Sequence, residues 1–417
     1  MSRVLGAGFA FLVSGVVPLL AALGGILFLS ACGSCDSTVR QAVVAPIAAG
    51  SFDDVQVDQT SHRLYMADQA ASGVDVVNIY STTPQFVRTI DVGGTPNGLA
   101  IAHDRHLLYA GLAGGTVAVI DTDPTSPHAM QVVNQITVDQ FHADLMDYSP
   151  QRQRLYVGAG TAVVGVDTVA NQVKERFDMK TVNVEQPRYN PADGLLYVTI
   201  PKTDTLLQMN PADGKVTRSF VVAGCRPKGL AINPSRQLAM MACRSTMAIV
   251  NLRSGAYEVT SVLPGADIVN YDAGLDRFVA ASPHGKSDSS IGVFDGSGRF
   301  LGSVSAVEKS HSAAFDDANG LVYAPGAVGL MSFLPSACTP PPDWLKFLGG
   351  MSFFATPFLA FGLFLFMYAR RQRERARGPA RPTWHQLQEE DLAAERERMR
   401  ALEDAMLGPK VSNKIQV

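Results

Sequence analysis

The sequence predicts an all-β chain, a seven-bladed β-propeller over residues 39–334, and three observations carry that prediction. First, a triplet recurs seven times: Arg63-Leu64-Tyr65, Leu107-Leu108-Tyr109, Arg154-Leu155-Tyr156, Leu195-Leu196-Tyr197, Leu238-Ala239-Met240, Arg277-Phe278-Val279 and Leu321-Val322-Tyr323. The third residues lie 44, 47, 41, 43, 39 and 44 apart, the period of a four-stranded blade. Second, another strand ends seven residues before each of them, at Asp58, Ala102, Ser149, Asn190, Asn233, Asp272 and Asp316. Third, Pro, Asp, Asn and Gly punctuate the runs, as in Asn190-Pro191-Ala192-Asp193-Gly194, which marks turns between short strands rather than helix.

Each unit then continues alike. A third strand alternates apolar residues, as in Val117-Ala118-Val119-Ile120, and a turn such as Asp295-Gly296-Ser297-Gly298 follows it. A fourth strand, such as Phe86–Val92, completes the blade. The seventh unit has only three strands before Pro335. The stretch Val43–Gly50 reads like the end of a fourth strand and is expected to supply the missing one, closing the ring and removing two open sheet edges. Pro46 is tolerable there, because an outermost strand has one unpaired side.

The flanks have a different composition. Val4–Ala31 and Phe347–Tyr368 carry no charged residue and are long enough to cross a bilayer as helices. Arg370, Arg371, Arg373, Arg375, Arg377 and Arg381 follow the second segment, which puts that end in the cytoplasm and the propeller outside. Residues 1–31 have three readings: a retained membrane helix, a lipoprotein-type signal, or a plain cleaved signal. Leu29-Ser30-Ala31-Cys32 is lipobox-like and makes Cys32 the lipidation candidate, whereas the apolar run is longer than an ordinary signal core. Residues 335–343, with Pro340-Pro341-Pro342, read as a stiff linker to a membrane helix over 344–369. The basic tail, 370–417, contains a predicted helix, Thr383–Leu407, stopped by Gly408-Pro409, with Leu392, Met399, Leu402 and Met406 on one face. The partners implied are the lipid bilayer and other proteins. A net charge of −3 offers no electrostatic footprint for nucleic acid, and Asn-x-Ser/Thr acceptor sites are absent, which favours a bacterial envelope with the propeller on the periplasmic side.

The repeats resemble the YVTN-repeat propellers of bacterial and archaeal extracytoplasmic proteins. Arg154-Leu155-Tyr156-Val157 and Leu196-Tyr197-Val198-Thr199 are similar to the name-giving motif, and Gly229–Pro234 is similar to the family's inner strand. Met240 and Val279 depart from the aromatic slot. The resemblance implies the fold and an extracytoplasmic place, and it carries over no catalytic residue.

Five cysteines remain to be assigned. Cys225 and Cys243 face each other across a hairpin turning near Pro234-Ser235 and are a disulfide candidate. Their alternative is a pair of buried thiols. Cys35 and Cys338 flank the propeller, and bonding them would tie its two ends together.

No CxxCH, HExxH or phosphate-binding glycine loop occurs, and His103 and His106 read as solvated turn residues. Aligning the units places one residue per blade at the mouth of the central channel: Asp53, Asn97, Asp144, Glu185, Lys228, Asp267 and His311. Four carboxylates there suit Ca²⁺, an oxygen-seeking ion, or a basic segment of a partner. A wet channel mouth accepts polar residues without any ligand. Arg188 and Arg226 lie near the same mouth and serve either an anion or the neighbouring acids. A binding or scaffold module, a subunit of a membrane-associated assembly, is therefore the expected function. The alternative is an enzyme of the lactonase-like or quinone-cofactor dehydrogenase-like kind, for which no convergent acid, base or metal set is legible.

Overall fold

The blade repeat builds seven antiparallel four-stranded sheets. The computed structural model describes residues 35, 39–42, 51–81, 83–180, 183–283, 289–327, 329–338, 362, 364–373 and 384–406. The inner strands are Phe52–Asp58, Pro96–Ala102, Met146–Ser149, Pro187–Asn190, Leu230–Asn233, Val269–Asp272 and Ala314–Asp316. Each ends on the residue that the repeat pattern names. The second strands are buried on both faces, because they lie between neighbouring blades. The fourth strands alternate exposed and half-buried residues, because only one face packs inward.

The turn into each second strand repeats a single backbone feature. His62, His106, Gln153, Gly194, Gln237, Asp276 and Gly320 all adopt the left-handed conformation, with φ between 49 and 73°. Five blades place a side-chain-bearing residue there and two place glycine, so the turn is imposed by the hairpin and not by glycine alone.

The large residue of the second strand is the interior filler. Tyr65, Tyr109, Tyr156, Tyr197 and Tyr323 are completely buried. Two of their hydroxyls bond to the turn: Tyr197 donates to Asp193 (2.8 Å), and Asn319 donates to the Tyr323 oxygen (2.9 Å). Met240 and Val279 occupy the same slot without a hydroxyl. Met240 packs with Phe278 and Phe294 of blade six, whereas Val279 packs with Phe315 and Phe333 of blade seven, so adjacent aromatic rings replace the missing volume.

The ring closes with a strand from the N-terminal side, as expected. Arg40–Ala42 pairs antiparallel with Gly329–Phe333, in the register Arg40–Ser332, Gln41–Met331 and Ala42–Leu330. Residues 43–50 lie outside the described residues. Cys35 and Cys338 form a disulfide with Cα atoms 4.3 Å apart, set among Val304, Phe315 and Phe333. Cys225 and Cys243 form a second disulfide, with Cα atoms 4.6 Å apart.

The chain divides into two units, Met1–Pro342 and Asp343–Val417. In the second, residues 364–373 are helical and a helix runs over Trp384–Met406, with Leu392 and Met399 exposed. Among the described residues no helix is long and apolar enough to cross a membrane. The segment Val4–Ala31, most of Phe347–Tyr368, Cys32, Pro340–Pro342 and Arg375, Arg377 and Arg381 lie outside the described residues.

Candidate functional site

Inner strands converge on the channel, so the residues at their starts share its mouth. Asp53 lies within the blade-one inner strand, and Asp144, Glu185, Lys228 and Asp267 each precede an inner strand by two residues. Below them the channel wall is stitched by polar side chains that reach from one blade to the next. Asp54, 1% exposed, accepts the Leu99 N–H (3.0 Å) and the Ser312 hydroxyl (3.1 Å), joining blades seven, one and two. Asp147 accepts the Tyr189 N–H (2.8 Å), Gln186 accepts the Leu230 N–H (2.7 Å), and Asn270 donates to the Ala313 carbonyl (2.9 Å). These bonds satisfy inner-strand groups that have no ladder partner on the channel side.

Of the seven aligned residues, six lie close enough to act on one another's charge, and the seventh is bonded to backbone and to a neighbouring side chain. Asn97, 7% exposed, donates to the Ala143 carbonyl and accepts from Gln69. Asp53, Asp267 and His311 bring ligand atoms within 4.8 Å of one another. Asp267 is the hub: Lys228 Nζ donates to one of its oxygens (3.0 Å) and His311 Nδ1 to the other (2.8 Å). Burial works to raise the Asp267 pKa, but the His311 hydrogen bond and the Lys228 charge outweigh it and hold the carboxylate below its ordinary value. The same contacts raise His311, chiefly through its bond to Asp267, and they raise Lys228 against its own burial.

At Asp53 and Glu185 the nearby cations do not prevail over burial and the neighbouring acids. Burial, followed by the Asp144 and Asp267 charges, pushes Asp53 up to about 7. Burial and Asp144 push Glu185 up to about 7, with Lys228 pulling the other way. His142 was not legible as a mouth residue. Its Nε2 lies 3.0 Å from Asp144 Oδ2, and that bond raises its pKa. The alignment missed it because it sits two residues before Asp144, in a connecting loop and outside the strand period.

The other sequence candidates separate cleanly. Arg188 is held within the wall, donating to the Leu230 carbonyl (2.8 Å), Asn270 (3.1 Å) and Asp147 (3.4 Å). Arg226 lines a cleft beside the mouth. His103 lies in an exposed turn, His103–Arg105, and its Nδ1 is 3.2 Å from Asp58 of blade one. The donor set Asp53, Asp267 and His311 mixes oxygen with imidazole, which suits a nitrogen-tolerant transition ion better than Ca²⁺. Lys228 beside it opposes any cation bound directly to Asp267.

No family model matches the chain, and no curated protein matches it. Among solved structures, a Kuenenia stuttgartiensis hydrazine synthase chain is similar. It has a TM-score of 0.58 at 14% identity, and the match covers 70% of this chain and 97% of that one. At that identity the likeness shows the propeller fold alone.

Proposed function

We propose that the chain is a membrane-anchored, extracytoplasmic binding module of the YVTN-repeat type, a subunit of an envelope assembly that receives a basic side chain of a partner at the channel mouth. One observation carries the reading: four carboxylates, Asp53, Asp144, Glu185 and Asp267, act on one another there, and Asp53 and Glu185 are pushed up to about 7, first by burial and then by the neighbouring acids. An ammonium or guanidinium relieves that crowding and gains charge-assisted hydrogen bonds. The uncharged flanking segments, the arginines after residue 369 and the two disulfides support an outer-face location for the propeller.

Purification of the full chain in mild detergent, followed by mass spectrometry of what accompanies it, tests the assembly. A stoichiometric partner that is lost in the Asp53→Asn/Glu185→Gln double variant is the expected result. Recovery of the chain alone as a monomer contradicts it. Calorimetric titration with Ca²⁺ and with Zn²⁺ separates an ion from a side chain: saturable heat with either would make the mouth an ion site instead.

A further inference from the structure

Beside the acidic mouth, on the same face, blades four and five enclose a cleft of about 620 Å³ with the opposite character. Its size lies within the range of small-molecule sites. Four cations line it from separate pieces of backbone. Lys202 comes from the short 3₁₀ turn Pro201–Thr203 after the second strand of blade four, and Arg226 and Lys228 from the connection between the blades. Arg244 follows the second strand of blade five. Lys228 pairs with Asp267. Among the described residues no carboxylate lies within ion-pair distance of Lys202, Arg226 or Arg244.

The backbone that presents these side chains is fixed. Arg226 and Arg244 each directly follow a half-cystine of the Cys225–Cys243 disulfide. The Arg244 N–H donates to the Cys225 carbonyl (2.8 Å). Asp204 spends both carboxylate oxygens on the same loop, accepting the Gly224 and Arg226 N–H groups at 2.8 Å each. Arg226 itself has φ of 49°, a conformation that costs energy for a side-chain-bearing residue and is held here by those bonds. The side chains themselves are exposed, but the fixed backbone keeps four positive charges around one cleft, where like charges repel one another unless an anion sits between them.

We infer that this cleft binds a small soluble oxyanion of two or more negative charges, a phosphate ester or a di- or tricarboxylate, with Arg226 and Arg244 as its two guanidinium contacts and the Cys225–Cys243 disulfide setting their separation. Guanidinium forks match both carboxylate and phosphate oxygens bidentately. Glu185 at the cleft's inner edge is partly protonated at neutral pH and so repels such a ligand less than an ordinary carboxylate.

Calorimetric titration of the full chain in detergent with pyrophosphate and with citrate tests the inference, and anionic phospholipid vesicles supply a second arm. One-to-one binding of pyrophosphate or citrate is expected, weakened about tenfold or more by Arg226→Gln/Arg244→Gln and unchanged by Arg299→Gln, which pairs with Asp295 in blade six. The Cys225→Ser/Cys243→Ser variant is expected to lose several-fold in affinity while its melting transition stays cooperative. No saturable binding of either soluble anion, binding to vesicles alone, or binding that the double arginine variant leaves intact would overturn the inference. Full affinity in the folded cysteine variant would overturn the role given to the disulfide.

Discussion

Blades five and seven each carry a disulfide, and the two bonds act on different scales. Cys35–Cys338 joins residues 303 apart in sequence, whereas Cys225–Cys243 joins residues 18 apart. The first lies among core residues where the last blade meets the incoming strand. In the second, each half-cystine is followed by an arginine that lines a cleft. A propeller has one weak seam, where its two chain ends meet, and there a long-range crosslink constrains the whole unfolded chain. Elsewhere the blades are already continuous, so a local crosslink adds little to ring integrity and instead fixes a loop. The same covalent chemistry thus serves the fold in one blade and a surface site in the other.

That contrast is open to direct attack. On the chain-entropy relation, removing Cys35–Cys338 costs about 6 kcal/mol and removing Cys225–Cys243 about 3 kcal/mol, both as upper values. Calorimetric melting of Cys35→Ser/Cys338→Ser should therefore show the largest fall in Tm. Equal losses from the two pairs would break the contrast. Next in size is the closing strand. A chain starting at Val39 keeps Arg40–Ala42 and lacks Cys35, whereas one starting at Ser51 lacks both. The shorter chain should melt lower and aggregate sooner through the exposed edge of Gly329–Phe333; equal stability would show that the strand does not close the ring. The Cys225→Ser/Cys243→Ser variant comes third, with a modest fall in Tm and a clear loss of anion affinity.

The smallest effect is that of pH on the mouth. Asp53 and Glu185 sit near 7 in the folded chain, against 3.8 and 4.5 ordinarily. The folded state therefore binds more protons than the unfolded one between about pH 4 and 7, and stability falls as pH rises through that window. Asp53→Asn or Glu185→Gln should stabilise the chain at pH 8, on the order of 1 kcal/mol after solvent screening, and should change little at pH 4. Denaturant titrations at both pH values check the sign, and destabilisation at pH 8 would mean that these carboxylates already have partners.

Local repetition made the propeller legible. The inner strands end where the repeats place them because blade spacing, turn chemistry and burial all impose the same period. The described part of the closing strand, Arg40–Ala42, lies just before the stretch expected to close the ring, and it has no repeat partner from which to take its register. The blade period brings Asp53, Asp144, Glu185, Lys228, Asp267 and His311 close enough to act on one another's charge. Asn97 instead spends its amide on the Ala143 carbonyl, and His142, which bonds Asp144, lies off the strand period. The cleft was invisible for a related reason. Lys202 and Arg244 occupy turns after second strands, and only the tertiary stacking of blades four and five brings them to Arg226. One signal was present, since an arginine follows each half-cystine of that pair. The wall residues Asp54, Asp147, Gln186 and Asn270 were equally accessible, one or three positions after the mouth residues, but their role depends on the neighbouring blade.

The central claim is that the mouth receives a basic group, and titration of a short lysine- and arginine-rich peptide into the full chain tests it most directly. Saturable binding at pH 8 is predicted, at least about tenfold weaker at pH 5, where Asp53 and Glu185 are protonated, and similarly weakened at pH 8 by Asp53→Asn/Glu185→Gln. Binding that is absent at pH 8, or that neither the pH nor the double variant alters, would contradict it.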